Sequence, residues 1–165
     1  MKTLYLIRHA KSSWKFPELN DFQRPLNKRG KRDAPFMAKV LKNYISKPDL
    51  IISSFAVRAL STAKIFADEI DYKKKDIKVD ESLYLCSRDH LLSVIKNTPQ
   101  FFNTLLLFGH NPELTDFCNS ISDYTVDNIP TCGIFCVSFN TSDWNEIDFG
   151  KGEFGFFEYP KKYFN

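Results

Sequence analysis

Short apolar runs alternate along this chain with longer amphipathic stretches, and that rhythm constrains the fold more than any other feature. Thr3 to Arg8 reads as a strand, and residues from about Asn27 to Ile45 read as a helix, because Met37, Val40, Leu41, Tyr44 and Ile45 recur at three- and four-residue spacing. Leu50-Ile51-Ile52-Ser53 is a buried strand, Val57 to Ile70 a second helix, Ile77-Lys78-Val79 a weak strand, and Arg88 to Lys96 a third helix. Thr104 to Phe108 is continuously apolar, as strands buried on both faces are, and Asn111 to Ile121 is the next helix, with Pro112 in its first turn. Strand, loop, helix repeated in this way implies an α/β three-layer sandwich, a mainly parallel central sheet with helices on both faces.

Two places depart from that rhythm. Pro35 lies inside the first helix, where a missing N–H and a clash with the preceding turn imply a kink or a later start. Towards the end, Gly133 to Phe139 and Trp144 to Phe149 flank Asn140-Thr141-Ser142-Asp143, which reads as a hairpin turn and so predicts antiparallel strands at one sheet edge. Phe154, Phe156 and Phe157 suggest a further short strand, and the aromatic tail as a whole reads as core.

The chain of 165 residues is the length of one domain, taken here as residues 1–165. A formal charge of +3 is too small to argue for nucleic-acid binding. The basic runs Lys28, Arg29, Lys31, Arg32 and Lys73, Lys74, Lys75 read as solvated surface, with steering of an anionic substrate as the alternative. No stretch approaches 18 apolar residues, so no membrane span is expected, and the N-terminus lacks the pattern of a secretory signal. Cys86, Cys118, Cys132 and Cys136 lack paired metal-ligand spacing, so the expectation is reduced thiols, no metal, no cofactor and a cytoplasmic location.

In open α/β sheets ligands bind beyond the carboxyl ends of the strands. Arg8-His9 and His110 fall just past two such ends, and Arg58 opens the helix after a third. Two guanidinium groups and two imidazoles converging there suit a phosphoryl group, because guanidinium forks match its oxygens. A neutral His9 could attack phosphorus to give a covalent phosphohistidine, with His110 and the arginines stabilising the transition-state charge. Taken singly, a histidine at a strand end or an arginine on a helix is more often structural; His90, on a polar helix, keeps that reading.

The order of three motifs changes the balance. Arg8-His9-Ala10, then Ser54-Phe55-Ala56-Val57-Arg58-Ala59-Leu60-Ser61-Thr62-Ala63, then Gly109-His110 resembles the histidine phosphatase superfamily over residues 3 to about 115. That resemblance implies His9 and His110 as catalytic residues and Arg8 and Arg58, with Ser12, as substrate-binding ones. Arg8-His9-Ala10-Lys11-Ser12-Ser13-Trp14, Arg24-Pro25-Leu26-Asn27-Lys28-Arg29-Gly30 and Gly109-His110-Asn111-Pro112 are similar to the small bacterial phosphohistidine phosphatases. Phosphoglycerate mutases differ, with a glutamate in place of Lys11 and an asparagine in place of Lys15. Glu81 is the nearest candidate for a general acid, although its surroundings do not match the mutase motif. The leading expectation is a metal-independent phosphatase acting on phosphohistidine in a protein. A phosphomonoesterase of small metabolites and a non-catalytic phosphoryl-binding module are the alternatives, with neither nucleic acid nor membrane as partner.

Overall fold

The computed structural model describes residues 1–164. Six strands form one sheet: β1 (Lys2–Arg8), β2 (Leu50–Ser54), β3 (Lys78–Asp80), β4 (Thr104–Gly109), β5 (Ile134–Phe139) and β6 (Glu153–Glu158). Four helices accompany them: α1 (Lys28–Lys42), α2 (Val57–Glu69), α3 (Arg88–Lys96) and α4 (Glu113–Ile121). The spatial order is β3-β2-β4-β1-β5-β6. The first four strands of that order run parallel to one another, and β5 and β6 run antiparallel at one edge.

Alternation along β1 shows how the layers are divided. Tyr5 and Ile7 join Ile51, Leu106 and Phe108 beneath Met37, Leu41, Ala63 and Phe66 of α1 and α2. Leu4 and Leu6 point to the opposite face, where Ile52, Leu105 and Leu107 meet Leu91 and Ile95 of α3 and Leu114 and Phe117 of α4. Successive strand side chains point to opposite sides, so a strand apolar at every position must be covered twice. Burying one such Leu or Ile contributes about 1.5–3 kcal/mol.

Helix α1 runs through Pro35 without a break in its residue range, and Asn27 caps it by accepting from the Gly30 N–H. The later start is therefore not what the chain does. Helix α4 begins at Glu113, two residues later than its periodicity suggested, with Pro112 as N-cap. The C-terminal hairpin needs a larger correction. The strand paired with β5 is Glu153–Glu158, whereas Trp144–Glu146 forms a single 3-10 turn. The turn chemistry at Asn140–Asp143 is real, since the Asp143 side chain accepts from Asn145 N–H, but it starts that 3-10 turn instead of returning a strand. Trp144 is drawn inward: its indole N–H donates to Phe102 O at 2.8 Å and its backbone N–H to Gln100 Oε1 at 2.7 Å. The tail packs at the margins of both cores, with Phe154 stacked on Tyr124 at 3.7 Å and Phe156 on Tyr44 at 3.8 Å.

Candidate active site

Strand register builds the centre of the site. Arg8 of β1 pairs with Gly109 of β4, so the next residue on each strand is a histidine at the same level. The His9 N–H donates to Gly109 O at 3.1 Å, and the two imidazole centroids stand 5.3 Å apart. Ser54 closes neighbouring strand β2, and its Oγ lies 2.8 Å from His110 Nε2. At the second residue of α2, Arg58 is 6% exposed.

The loop after β1 is held by three backbone devices. Ala10 N–H donates to Thr62 Oγ1 at 2.9 Å, and that hydroxyl donates to Arg58 O at 2.7 Å, which clips the loop to α2. Ser13 N–H donates to Pro25 O, and Asn27 N–H donates to Lys11 O. At Gly30 the loop approaches so closely that an added Cβ would lie 2.2 Å from Lys11 O. No other residue fits there without displacing the loop.

His9 Nδ1 lies 2.7 Å from Ala10 O. A carbonyl only accepts, so Nδ1 carries the proton and Nε2 carries the free lone pair. Burial pushes the imidazole down to about 3; the Ala10 hydrogen bond opposes that shift, while His110, Arg58 and Arg8 add to it. His110 is lowered to about 4, first by burial and then by Arg58, against Asp21. Both rings are thus neutral near pH 7. Burial, and then the charge of Arg58, also lower the Arg8 guanidinium from its usual value.

A cavity of about 210 Å³ opens here, lined by Arg8, His9, Lys11, Ser12, Trp14, Arg24, Arg58, His110, Asn111 and Thr131. Four of these side chains are cationic and none is a carboxylate. Every site residue read from the sequence therefore reaches one cavity, Ser12 included, although Ser12 is also engaged in a short antiparallel bridge to Leu26. Glu81 does not line the cavity; it is exposed in the turn after β3. His90 is likewise outside it, its Nε2 lying 2.7 Å from Ser82 Oγ.

Five buried side-chain polar atoms lack a hydrogen-bond partner among the described residues, and three of them are Arg8 Nε, Arg58 Nε and His110 Nδ1. Buried polar groups are otherwise paired almost without exception, so this concentration marks a place built for an external acceptor. The remaining Arg58 nitrogens are committed: Nη1 donates to Asp21 O at 2.7 Å and Nη2 to Asp21 Oδ2 at 2.9 Å. Partial burial raises the Asp21 carboxyl, but the Tyr84 hydroxyl, Arg58 and Arg24 outweigh it and hold the group down to about 2. Asp21 had no signal in the sequence, because its contact with Arg58 joins residues 37 positions apart. Thr62 stood inside a recognised motif, yet its role as a clip emerges only from the packing.

A family model for the histidine phosphatase superfamily (branch 1) matches residues 4–84. An uncharacterised chloroplastic protein of Arabidopsis thaliana is 29% identical over 154 residues, which cover 88% of this chain and 70% of that protein. Among solved structures, the proposed phosphohistidine phosphatase SixA of Agrobacterium tumefaciens is 24% identical with a TM-score of 0.81, covering 96% of this chain and 98% of its own. A protein histidine phosphatase SixA complexed with tungstate gives a TM-score of 0.82 at 20% identity, covering 97% of this chain and 98% of its own.

Proposed function

We propose a specific reaction for this chain, which belongs to the histidine phosphatase superfamily and is a phosphatase: removal of the phosphoryl group from phosphohistidine in a protein, by way of a covalent phosphohistidine on His9. The observation that carries the reading is the hydrogen bond from His9 Nδ1–H to Ala10 O, which leaves Nε2 unprotonated inside a cavity of four cations. Nε2 attacks phosphorus, forming a P–N bond as the bond to the substrate imidazole breaks. The leaving imidazole, protonated on its other ring nitrogen, departs as a neutral molecule. Water then attacks the phosphorus on His9, returning free imidazole and inorganic phosphate.

Arg8, Arg58 and His110 supply donors for the equatorial oxygens, and Ser12 stands at the same wall. A single placed donor of this kind contributes about 3 kcal/mol in the transition state. The lack of a carboxylate on the cavity wall favours a phosphoramidate, because an ester alkoxide would need protonation on departure and an imidazole already carrying a proton does not. Support also comes from the tungstate complex of a similarly folded protein histidine phosphatase, tungstate being a tetrahedral oxyanion. No described helix is long and apolar enough to cross a membrane. We assign the protein to the cytoplasm, and four free cysteines, three of them buried, support a reducing compartment.

The test compares a phosphohistidine protein with sugar phosphates and phosphoglycerate as substrates. Faster turnover of the phosphohistidine protein, with an acid-labile phosphoenzyme that disappears in His9→Ala, is expected. Turnover of esters alone would replace this reading with a metabolite phosphomonoesterase, and phosphate binding without release from any substrate would leave only a binding module.

A further inference from the structure

We propose that a basic groove beside the His9 cavity docks an acidic segment of the phosphoprotein substrate; this rests on the reading of a protein substrate given above. The groove, about 500 Å³, runs between the start of α1 and the turn at Pro160–Lys162. Its floor includes Thr131, which also lines the His9 cavity. Arg29 Nη2 reaches the Thr131 hydroxyl at 3.3 Å, so a cation of the groove stands at the junction of the two spaces. A substrate with its phosphoryl group on His9 has this groove as the adjoining surface.

The charge there is lopsided. Arg29, Arg32 and Lys161 face a single carboxylate, Asp33. The Asp33 side chain is 2% exposed and already engaged, by Arg32 at 2.8 Å and by Arg29 at 3.9 Å, while both guanidinium groups remain half-exposed. Arg32 also lies over the Phe164 ring at 4.2 Å. A guanidinium held flat by a ring and a buried carboxylate loses little further freedom on binding and keeps its outer edge for a second carboxylate.

Placement of these cations is unfavourable for the helix that bears them. Lys28, Arg29, Lys31 and Arg32 occupy the opening turns of α1, where the helix dipole favours acidic residues, and the first turn has none. The overall charge of +3 and the small number of lining cations fit a short acidic peptide better than a nucleic acid, whose affinity grows with the number of neutralised phosphates. The His9 cavity, about 210 Å³, is small for more than the phosphoryl group and its imidazole, so discrimination between proteins falls to surface outside it.

The experiment compares phosphohistidine peptides with acidic or neutral flanks, and a small phosphoramidate, on wild type, Lys161→Glu and Arg32→Glu/Lys161→Glu, with thermal melting as the folding control. Wild type should prefer the acidic peptide by about tenfold in kcat/KM, through KM and less so at high salt. Lys161→Glu should reduce that preference and the double variant abolish it, with phosphoramidate turnover unchanged. Equal use of both peptides by wild type, a preference that survives Lys161→Glu and the double variant, or a parallel fall on phosphoramidate would overturn the proposal. Fluorescence anisotropy with an unphosphorylated acidic peptide separates it from the catalytic reading. Binding that is lost on charge reversal upholds the groove even if no phosphohistidine is hydrolysed, and absence of binding overturns it even if hydrolysis is fast. Tighter binding of single-stranded RNA than of the peptide would overturn it in favour of a nucleic-acid partner.

Discussion

Strand β1 begins and ends with a cation, and the two ends are treated in opposite ways. Lys2 is fully buried, and its ammonium donates to Gln100 O at 2.6 Å, Phe102 O at 2.7 Å and Asn103 Oδ1 at 3.0 Å, with the Trp144 ring 5.5 Å away. All three donors of the ammonium are used. Arg8 spends Nη1 on Ile129 O, leaves Nε buried without a partner, and stands beside a second cation and two neutral imidazoles. A closed network spends its polar groups on stability; an open one holds them for something that arrives from outside. The same strand thus carries a structural end and a reactive end, and substitutions at the two should fail in different ways.

The largest effect is expected at His9. Replacing it with Ala should lower kcat/KM by about 10⁴-fold or more and remove the phosphoenzyme, with a melting temperature at or above that of wild type. A large loss of stability in that variant would erase the contrast between the ends. Next comes pH. The folded-state values of about 3 for His9 and about 4 for His110 lie below the ordinary 6.5, so the unfolded chain binds protons first. The stability they contribute is complete above about pH 6.5 and is lost as pH falls through that value towards the folded ones. Between pH 7 and 5 this amounts to about 2 kcal/mol for each histidine. Urea unfolding of wild type against His9→Asn/His110→Asn isolates it, since Asp21, held near 2, titrates below this window.

Arg58→Ala should cost about 3 kcal/mol of transition-state stabilisation, roughly 10²-fold in kcat/KM, and should also free the Asp21 loop. Steady-state kinetics checks the first effect, and faster proteolysis between β1 and α1 checks the second. At the closed end, Lys2→Met should lose about 2 kcal/mol of unfolding free energy by stranding two carbonyls, with kcat/KM per folded molecule unchanged. An activity loss there would show that the two ends are coupled through β1. Gly30→Ala is expected to be the smallest, about 1–2 kcal/mol in stability, and to raise KM by displacing Lys11 and its loop.

Much of the fold could be read before folding, and the errors are instructive. Helices α2 and α3 lie within one residue of their periodicity because each has one apolar face and a polar remainder. The further short strand read at Phe154, Phe156 and Phe157 is β6, but the partner expected for β5 was Trp144 to Phe149, whose composition is more strand-like than that of β6, where Glu153 and Gly155 interrupt the apolar pattern. The chain enters β6 by a close approach to β5: a Cβ at Gly152, just before β6, would lie 2.4 Å from Val137 Cγ2. Among the site residues, Arg8, His9, Arg58 and His110 were visible because three motifs in order carry them, at or soon after the ends of strands. Asp21, Tyr84 and Thr131 were not, since a loop contact across tens of residues leaves no periodic trace.

The sequence by itself determined the alternation of strands and helices, and with it the end of the sheet where a ligand would bind, because burial on two faces and the spacing of turns are local properties of the chain. It also placed two imidazoles and two guanidinium groups at strand ends. Only the tertiary structure decided that Arg8 pairs with Gly109, which sets His9 beside His110, and that Ala10 O takes the His9 Nδ1 proton and leaves Nε2 free. Register and tautomer depend on groups brought together from distant parts of the chain, and their energies exist only once those parts have met.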